Sequence, residues 1–396
     1  MTVTVVGVDG ATLSPGGAEL IRDATVVVGG RRHLARHAPD AARTIELGDL
    51  TGAVRALAGV EADSVVVLAS GDPGFFGVVR SLRAAGIAVS VLPALSSVQR
   101  IAALVGRPWD DLAVVSAHGR ALGPVLNVCR ARPAVAVLTG PGCGPAELGA
   151  GLHGWRRTLV IAEDIGGPDE KLSTVDASVA ARRAWRDPNV VLCLTETDRV
   201  AERSWYAGGA AVPPPDGWAL PEDAFSHRDG MITKAEVRAL ALARLAPRPG
   251  TLVWDIGAGS GAVGVESARL GSAVLAVERD PGQCVRILHN AAEFAVDVRL
   301  VEGAAPDALV GLPRPDAVFV GGGGPLVVKA CAEAGADRVV VALTALDRIA
   351  AARDVLRAGG YHVEGAQVAA SRLAELPDGT SRLAATNPVL LLWGTR

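Results

Sequence analysis

The residues 251–264, TLVWDIGAGSGAVG, carry the densest chemical signal in the chain. An apolar run ends at Asp255-Ile256, glycines follow at 257, 259 and 261, and a helix-forming stretch begins. Alternating glycines allow a tight strand-to-helix turn and let a ligand lie against bare backbone. The helix start behind them offers free N–H groups and a partial positive charge. Glu278 ends the next apolar run, LAVERD, where a carboxylate can take both hydroxyls of a ribose. Position 262 is Ala, so the dinucleotide pattern GxGxxG is narrowly missed. An acidic residue ahead of GxGxG favours S-adenosylmethionine over NAD, with NAD as the alternative. On this reading Asp255 lies near the sulfonium and amino end, and Gly257, Ala258, Gly259, Ser260 and Gly261 form the loop. A further run, VFVGGGGP (Val318 to Pro325), stands where nitrogen-alkylating methyltransferases carry Asn/Asp-Pro-Pro-aromatic. Its four glycines leave room for a broad, flat substrate beside a methyl donor.

The elements needed to position these residues fall into two α/β halves. Up to Tyr206, Val-rich runs such as TVTVVGV, SVVVLAS and TLVIAED alternate with Ala/Leu/Arg-rich stretches. Continuous apolar runs suit strands buried on both faces, and the alternation predicts an α/β sandwich with a mainly parallel sheet. Residues 207–225 hold four prolines and three glycines and read as a linker or draped loop. From 226 to 396 a second α/β pattern predicts a Rossmann-like, doubly wound sheet. It ends in PVLLLWG after the polar stretch PDGTSRLAATN, which suggests an antiparallel edge hairpin.

Composition narrows the partners. A length of 396 residues, 49% of them apolar, suffices for two cores, and a net charge of -3 with 4% aromatics disfavours nucleic-acid binding. The cations are 36 Arg and 3 Lys. Five scattered cysteines without a CxxC pair argue against disulfides and zinc, so no metal is expected. No apolar run reaches the roughly 18–20 residues of a membrane span, and the chain opens on a strand rather than a leader. A soluble cytoplasmic protein is expected.

The stretch VVLASGDPGFFGVVRSL (Val66 to Leu82), followed by LPALSSVQRIAALVGRPWDD and VSAHGR, resembles the tetrapyrrole (corrin/porphyrin) methylase family, specifically its C5-methylating member. The resemblance implies a two-lobed fold with S-adenosylmethionine in the cleft between the lobes. It places Ser70, Gly71, Asp72 and Phe75 at that ligand, with Ser96 and Ser97 beside it. The first loop, VGVDG, lacks the proline of the family's VGxGPG, which makes Asp9 and Gly10 weaker candidates. In the second half GMITKAEVRAL, DIGAGSGAVGVE, VEGAAPDAL, FVGGGG and TNPVLLLWG resemble the C15-methylating, decarboxylating domain of cobalamin biosynthesis. That resemblance implies Thr233 over the adenosyl site and Ala304 and Ala305 flanking the adenine. Many relatives of that domain have Asp at 304, which the resemblance would set on the adenine amino group; this chain has Ala there. The order of the two modules resembles the fused precorrin-6Y C5,15-methyltransferase (decarboxylating) family. It implies two methylations, one S-adenosylmethionine per half, loss of CO2 from a ring acetate, a tetrapyrrole substrate, and a homo-oligomer (dimer or tetramer).

No Ser–His–Asp or Cys–His constellation declares itself, and methyl transfer from a sulfonium needs none. Arg372, Arg382 and Asn387 are candidates to face substrate carboxylates, and His118 to face the C5 cleft. Arg31, Arg32, Arg120 and Arg238 are further carboxylate-binding candidates, and His227 a candidate acid.

Overall fold

The structure, a computed structural model, describes residues 2–48, 50–58, 60, 64–196, 207, 208, 214 and 216–396. The end of the predicted first domain (197–206) and residues 209–213 and 215 of the predicted linker lie outside the described residues. The first half opens with β1 (Thr2–Val8), β2 (Val26–Gly29), β3 (Arg43–Glu46), β4 (Val65–Ser70) and β5 (Ala88–Leu92). They form a parallel sheet in the order β3-β2-β4-β1-β5. The valines of β1, β2 and β4 are buried on both faces, as their uninterrupted apolar runs demand.

A second sheet takes β6 (Ala113–Ser116), β7 (Ala134–Leu138), β8 (Arg157–Glu163), β9 (Lys171–Asp176) and β10 (Asn189–Thr195) in the order β6-β7-β10-β8-β9. Only β6 and β7 pair in parallel; β10 runs antiparallel to β7 and β8, and β9 to β8. The expectation of a mainly parallel sheet therefore fails in this lobe. The connection from β8 to β9 spans only residues 164–170, too short for the crossover of about a dozen residues that a parallel pair requires.

The second half contributes β11 (Leu252–Ile256), β12 (Ala273–Glu278), β13 (Arg299–Glu302), β14 (Ala317–Val320), β15 (Arg338–Leu343), β16 (His362–Val368), β17 (Ser371–Glu375), β18 (Ser381–Ala385) and β19 (Val389–Thr395). Seven of these form one sheet in the order β13-β12-β11-β14-β15-β19-β16. The order reverses between β12 and β14, which flank β11, so the loop after β11 opens at a topological switch point, where ligands bind in such sheets. The expected terminal edge hairpin takes a different form. β19 lies inside the sheet, antiparallel to both β15 and β16, with Leu391, Leu392 and Trp393 buried; β16 holds the edge. The polar stretch before it pairs separately as the β17–β18 hairpin.

Residues 219–225 lie against the second half. The Glu266 carboxylate accepts from the backbone N–H groups of Ala219 and Leu220, and Phe225 is buried. The halves also touch directly. Trp155 packs into the core around Leu252 and Trp254, Arg157 pairs with Asp297 at 2.7 Å, and Asn127 donates to the carbonyl of Gly250 at 3.1 Å. No helix among the described residues is long and apolar enough to cross a membrane.

Candidate functional site

The glycine loop after β11 is built as its spacing predicts. Gly257, Gly259 and Gly261 adopt φ of +66°, +57° and +77°, the left-handed region that favours glycine. Two carboxylates hold the turn. Asp255 Oδ2 accepts from Gly264 N at 2.8 Å, and Glu278 Oε2 accepts from Gly259 N at 2.8 Å. Glu278 Oε1 accepts from the N–H groups of Arg279 and Asp280. A carboxylate has about four lone-pair sites, so Glu278 keeps capacity for a ligand. Asp255 is 1% exposed, and its Oδ1 has no partner within the protein. Burial pushes its carboxyl up to about 7.

Two cavities meet at this loop. One, of about 850 Å³, is lined by Thr233, Gly257, Ala258, Gly259, Ser260 and Asn387, with Phe319, Thr344 and Thr386. The other, of about 480 Å³, is lined by Gly257, Glu278, Ala304 and Ala305, with Gly322 and Gly323 of the tetraglycine run. A Cβ at Gly257 would stand 3.2 Å from Gly322 N, so the two glycine runs approach as bare backbone. The loop and the Glu278 carboxylate fit an adenosyl ligand, whereas Asp255 and Gly261 line neither cavity: Asp255 is buried beneath the turn and braces it through Gly264.

In the first half, Ser70, Gly71, Asp72, Phe75, Ser96 and Ser97 all line one cleft of about 550 Å³. Ser116, His118, Arg120 and Thr139 close it from the second sheet, so the cleft lies between the lobes. Local bonds set its walls. Ser96 caps the helix Ser97–Leu104 through a reciprocal pair with Gln99. Asp72 Oδ1 accepts from Gly74 N at 2.7 Å. Ser70 Oγ lies 2.7 Å from His33 Nε2. His33 is 5% exposed, and burial, helped by Arg32 and His37, lowers its pKa to about 4, leaving the ring neutral. The loop at Asp9 and Gly10 joins the lobes: Asp9 pairs with Arg100 at 2.8 Å, and a Cβ at Gly10 would sit 2.2 Å from Gly166 O.

Several other candidate substrate contacts do not line these cavities. Arg238 has no exposed surface. It pairs with Glu266 at 2.8 Å and donates to the carbonyls of Thr233 and Leu220, so it is a core residue, not a carboxylate binder. Arg372 is engaged by two carboxylates, Glu222 and Glu236, each at 2.6 Å. Arg382 is exposed on β18, opposite Ala374, and lines neither second-half cavity. Arg31 is exposed and pairs with Glu46 at 3.2 Å. Arg32 lines a small cavity beside Ser70, and His227 is half-buried with an enclosed, unpartnered Nδ1. Sequence reasoning missed Lys234, Phe319, Thr344 and Thr386 as cavity walls, and Thr139 in the cleft. Thr139 and Thr344 directly follow β7 and β15, a position that marks ligand contacts in α/β sheets and was a usable signal.

Residues 2–200 match the model of the Tetrapyrrole (Corrin/Porphyrin) Methylases, and residues 223–385 that of the Precorrin methyltransferase domain. The chain is therefore built from two methyltransferase units of tetrapyrrole chemistry. It is 38% identical over 335 residues to a precorrin-6Y C(5,15)-methyltransferase [decarboxylating] of Sinorhizobium sp, covering 82% of this chain and 78% of that one. It is 37% identical over 375 residues to the protein of that name from Mycobacterium tuberculosis (strain ATCC 25618 / H37Rv), covering 90% and 91%. A cobalt-precorrin-7 C(5)-methyltransferase of Salmonella typhimurium is 32% identical over 203 residues, covering 49% of this chain and 99% of its own length. The chain belongs to the precorrin-6Y C5,15-methyltransferase (decarboxylating) family.

Proposed function

We propose that the chain methylates precorrin-6Y, or its cobalt form, at C5 and C15 and removes the ring C acetate carboxylate as CO2. The first half carries the C5 site, in the cleft at Ser70–Phe75 and Ser96–Ser97. The second half carries the C15 and decarboxylation site, at Asp255, Gly257–Gly261, Glu278 and Thr233. The boundaries are residues 1–206 and 226–396, joined by 207–225. Each half binds its own S-adenosylmethionine, no metal takes part, and the enzyme works as a cytoplasmic homo-oligomer.

The observation that supports this reading is a separate cavity in each half, one walled by Ser70, Gly71, Asp72, Phe75, Ser96 and Ser97, the other by Thr233, Gly257–Ser260 and Asn387. When bound, the sulfonium supplies an already activated methyl group, so the protein's work is placement. In the second half the loop N–H groups and Glu278 fix the adenosyl end, while Phe319 and the tetraglycine run leave the adjoining space flat and open. In the first half Ser70, held by His33, and the capped start of helix Ser97–Leu104 face the cleft. The decisive experiment incubates the full chain with precorrin-6Y and S-adenosylmethionine and weighs the product. Two added methyl groups less one CO2, with two S-adenosylhomocysteine sites per chain by calorimetry, is the expected result. A single site, or methylation without CO2 release, overturns the reading.

A further inference from the structure

The cavity of about 850 Å³ at the second glycine loop contains one ionisable residue among all those that line it: Lys234. Its remaining walls are glycine, apolar side chains, hydroxyls and the Asn387 amide. The Lys234 ammonium makes one long bond, 3.3 Å to the carbonyl of Gly230, and among the described residues no carboxylate pairs with it. Glu236, two residues on, and Glu222, which bonds the neighbouring Ala235 N–H, both grip Arg372.

Two features show that this lysine is not placed for the fold. It occupies the N-cap of helix Ala235–Leu245, where a cation opposes the helix dipole and where Ser, Thr, Asp or Asn is preferred. The capping role is supplied from outside, by Glu222 Oε1, which accepts from Ala235 N at 2.8 Å. The chain also uses arginine for 36 of its 39 cations, and the two other lysines, Lys171 and Lys329, are exposed. A compact ammonium with three rotatable donors suits a point contact in a shaped cavity better than a guanidinium fork.

We propose that the Lys234 ammonium anchors a peripheral carboxylate of the macrocycle in the C15 site, setting which edge of the ring meets the methyl donor. This rests on the functional reading above. A lone cation in a neutral, partly enclosed cavity is the complement of an anionic substituent, and it is fixed beside Thr233 at the mouth of the loop. The test is steady-state kinetics of the C15 step in the full chain, followed by release of labelled CO2 from the substrate acetate. Lys234→Met is expected to raise KM for the macrocycle about tenfold or more while kcat stays within about twofold. Lys234→Arg, which keeps the charge, restores most of the loss, and S-adenosylhomocysteine affinity at the second site, read by calorimetry, is unchanged in both. An unaltered KM in Lys234→Met, a fall in kcat alone, or a parallel loss of S-adenosylhomocysteine affinity overturns the anchor. If the wild-type chain itself releases no CO2, the functional reading fails instead.

Discussion

Arg238 and Glu266 form an ion pair with neither side chain exposed, Nε to Oε1 at 2.8 Å. The pair ties three segments together. Glu266 also accepts from Ala219 and Leu220, and Arg238 also donates to the carbonyls of Leu220 and Thr233. Every polar atom of the pair thus works to lash residues 219–233 to the helix Ala262–Arg269. Arg238→Leu strands a buried carboxylate and two carbonyls, and should cost about 3–5 kcal/mol. Urea unfolding followed by tryptophan fluorescence checks this. A double replacement by leucines should not recover the loss, since the backbone groups the pair satisfies would remain unpaired.

Gly259 tests whether the two sites are independent. Its φ of +57° is strained for other residues, but an added Cβ meets no atom within 4 Å, so a large side chain has room to enter the cavity. Gly259→Arg should cost about 1–2 kcal/mol in backbone strain and reduce C15 methylation and CO2 release to background. C5 methylation should persist with an unchanged circular dichroism spectrum. Loss of both activities in a folded protein would show that the sites are not separate.

What the sequence disclosed followed the physics of local signals. The glycine loop was legible because only glycine tolerates its three left-handed φ values, and the cleft of the first half because its residues sit together in two short stretches. The ion pairs of Arg238 and Arg372 were not legible because an arginine's partners are set by tertiary contact: Glu266 lies 28 residues from Arg238, and Glu222 lies 150 from Arg372. Lys234 was overlooked for the same reason, its isolation being visible only once the cavity walls are assembled. The antiparallel β8–β9–β10 region was misread as parallel because an apolar run does not reveal strand direction; only the short β8–β9 connection does.

The halves should respond oppositely to acid. Burial lowers the His33 pKa from 6.5 to about 4, so the unfolded chain binds a proton first, and stability present above pH 6.5 is lost as pH falls towards 4. Burial raises Asp255 from 3.8 to about 7, so its contribution is complete below pH 3.8 and is lost as pH rises towards 7. Between pH 4 and 6.5, hydrogen exchange should show the first half weakening and the second strengthening on acidification. Each slope should approach about 1.4 kcal/mol per pH unit. His33→Gln should flatten the first slope and Asp255→Asn the second.

Arg372 separates a structural strut from a substrate contact. Its guanidinium spans Glu222, in the segment before the second-half helices, and Glu236, in the first turn of helix Ala235–Leu245. It thereby braces the β17–β18 hairpin, whose end at Ala385, with Thr386 and Asn387 beyond it, walls the large cavity. It also holds Glu222 where that residue caps Ala235 and pushes the Glu222 carboxyl down to about 2. Arg372→Leu should raise KM of the C15 step severalfold by loosening that wall. Lysine should replace it poorly, because one ammonium cannot grip two carboxylates in the bidentate manner of a guanidinium. The combined Glu222→Gln, Glu236→Gln variant discriminates the two roles. If Arg372 is a strut, the double variant loses the same brace and reproduces the raised KM. If Arg372 instead held a substrate carboxylate, freeing it from both glutamates would leave KM unchanged or lower it, and steady-state kinetics of labelled CO2 release would show which.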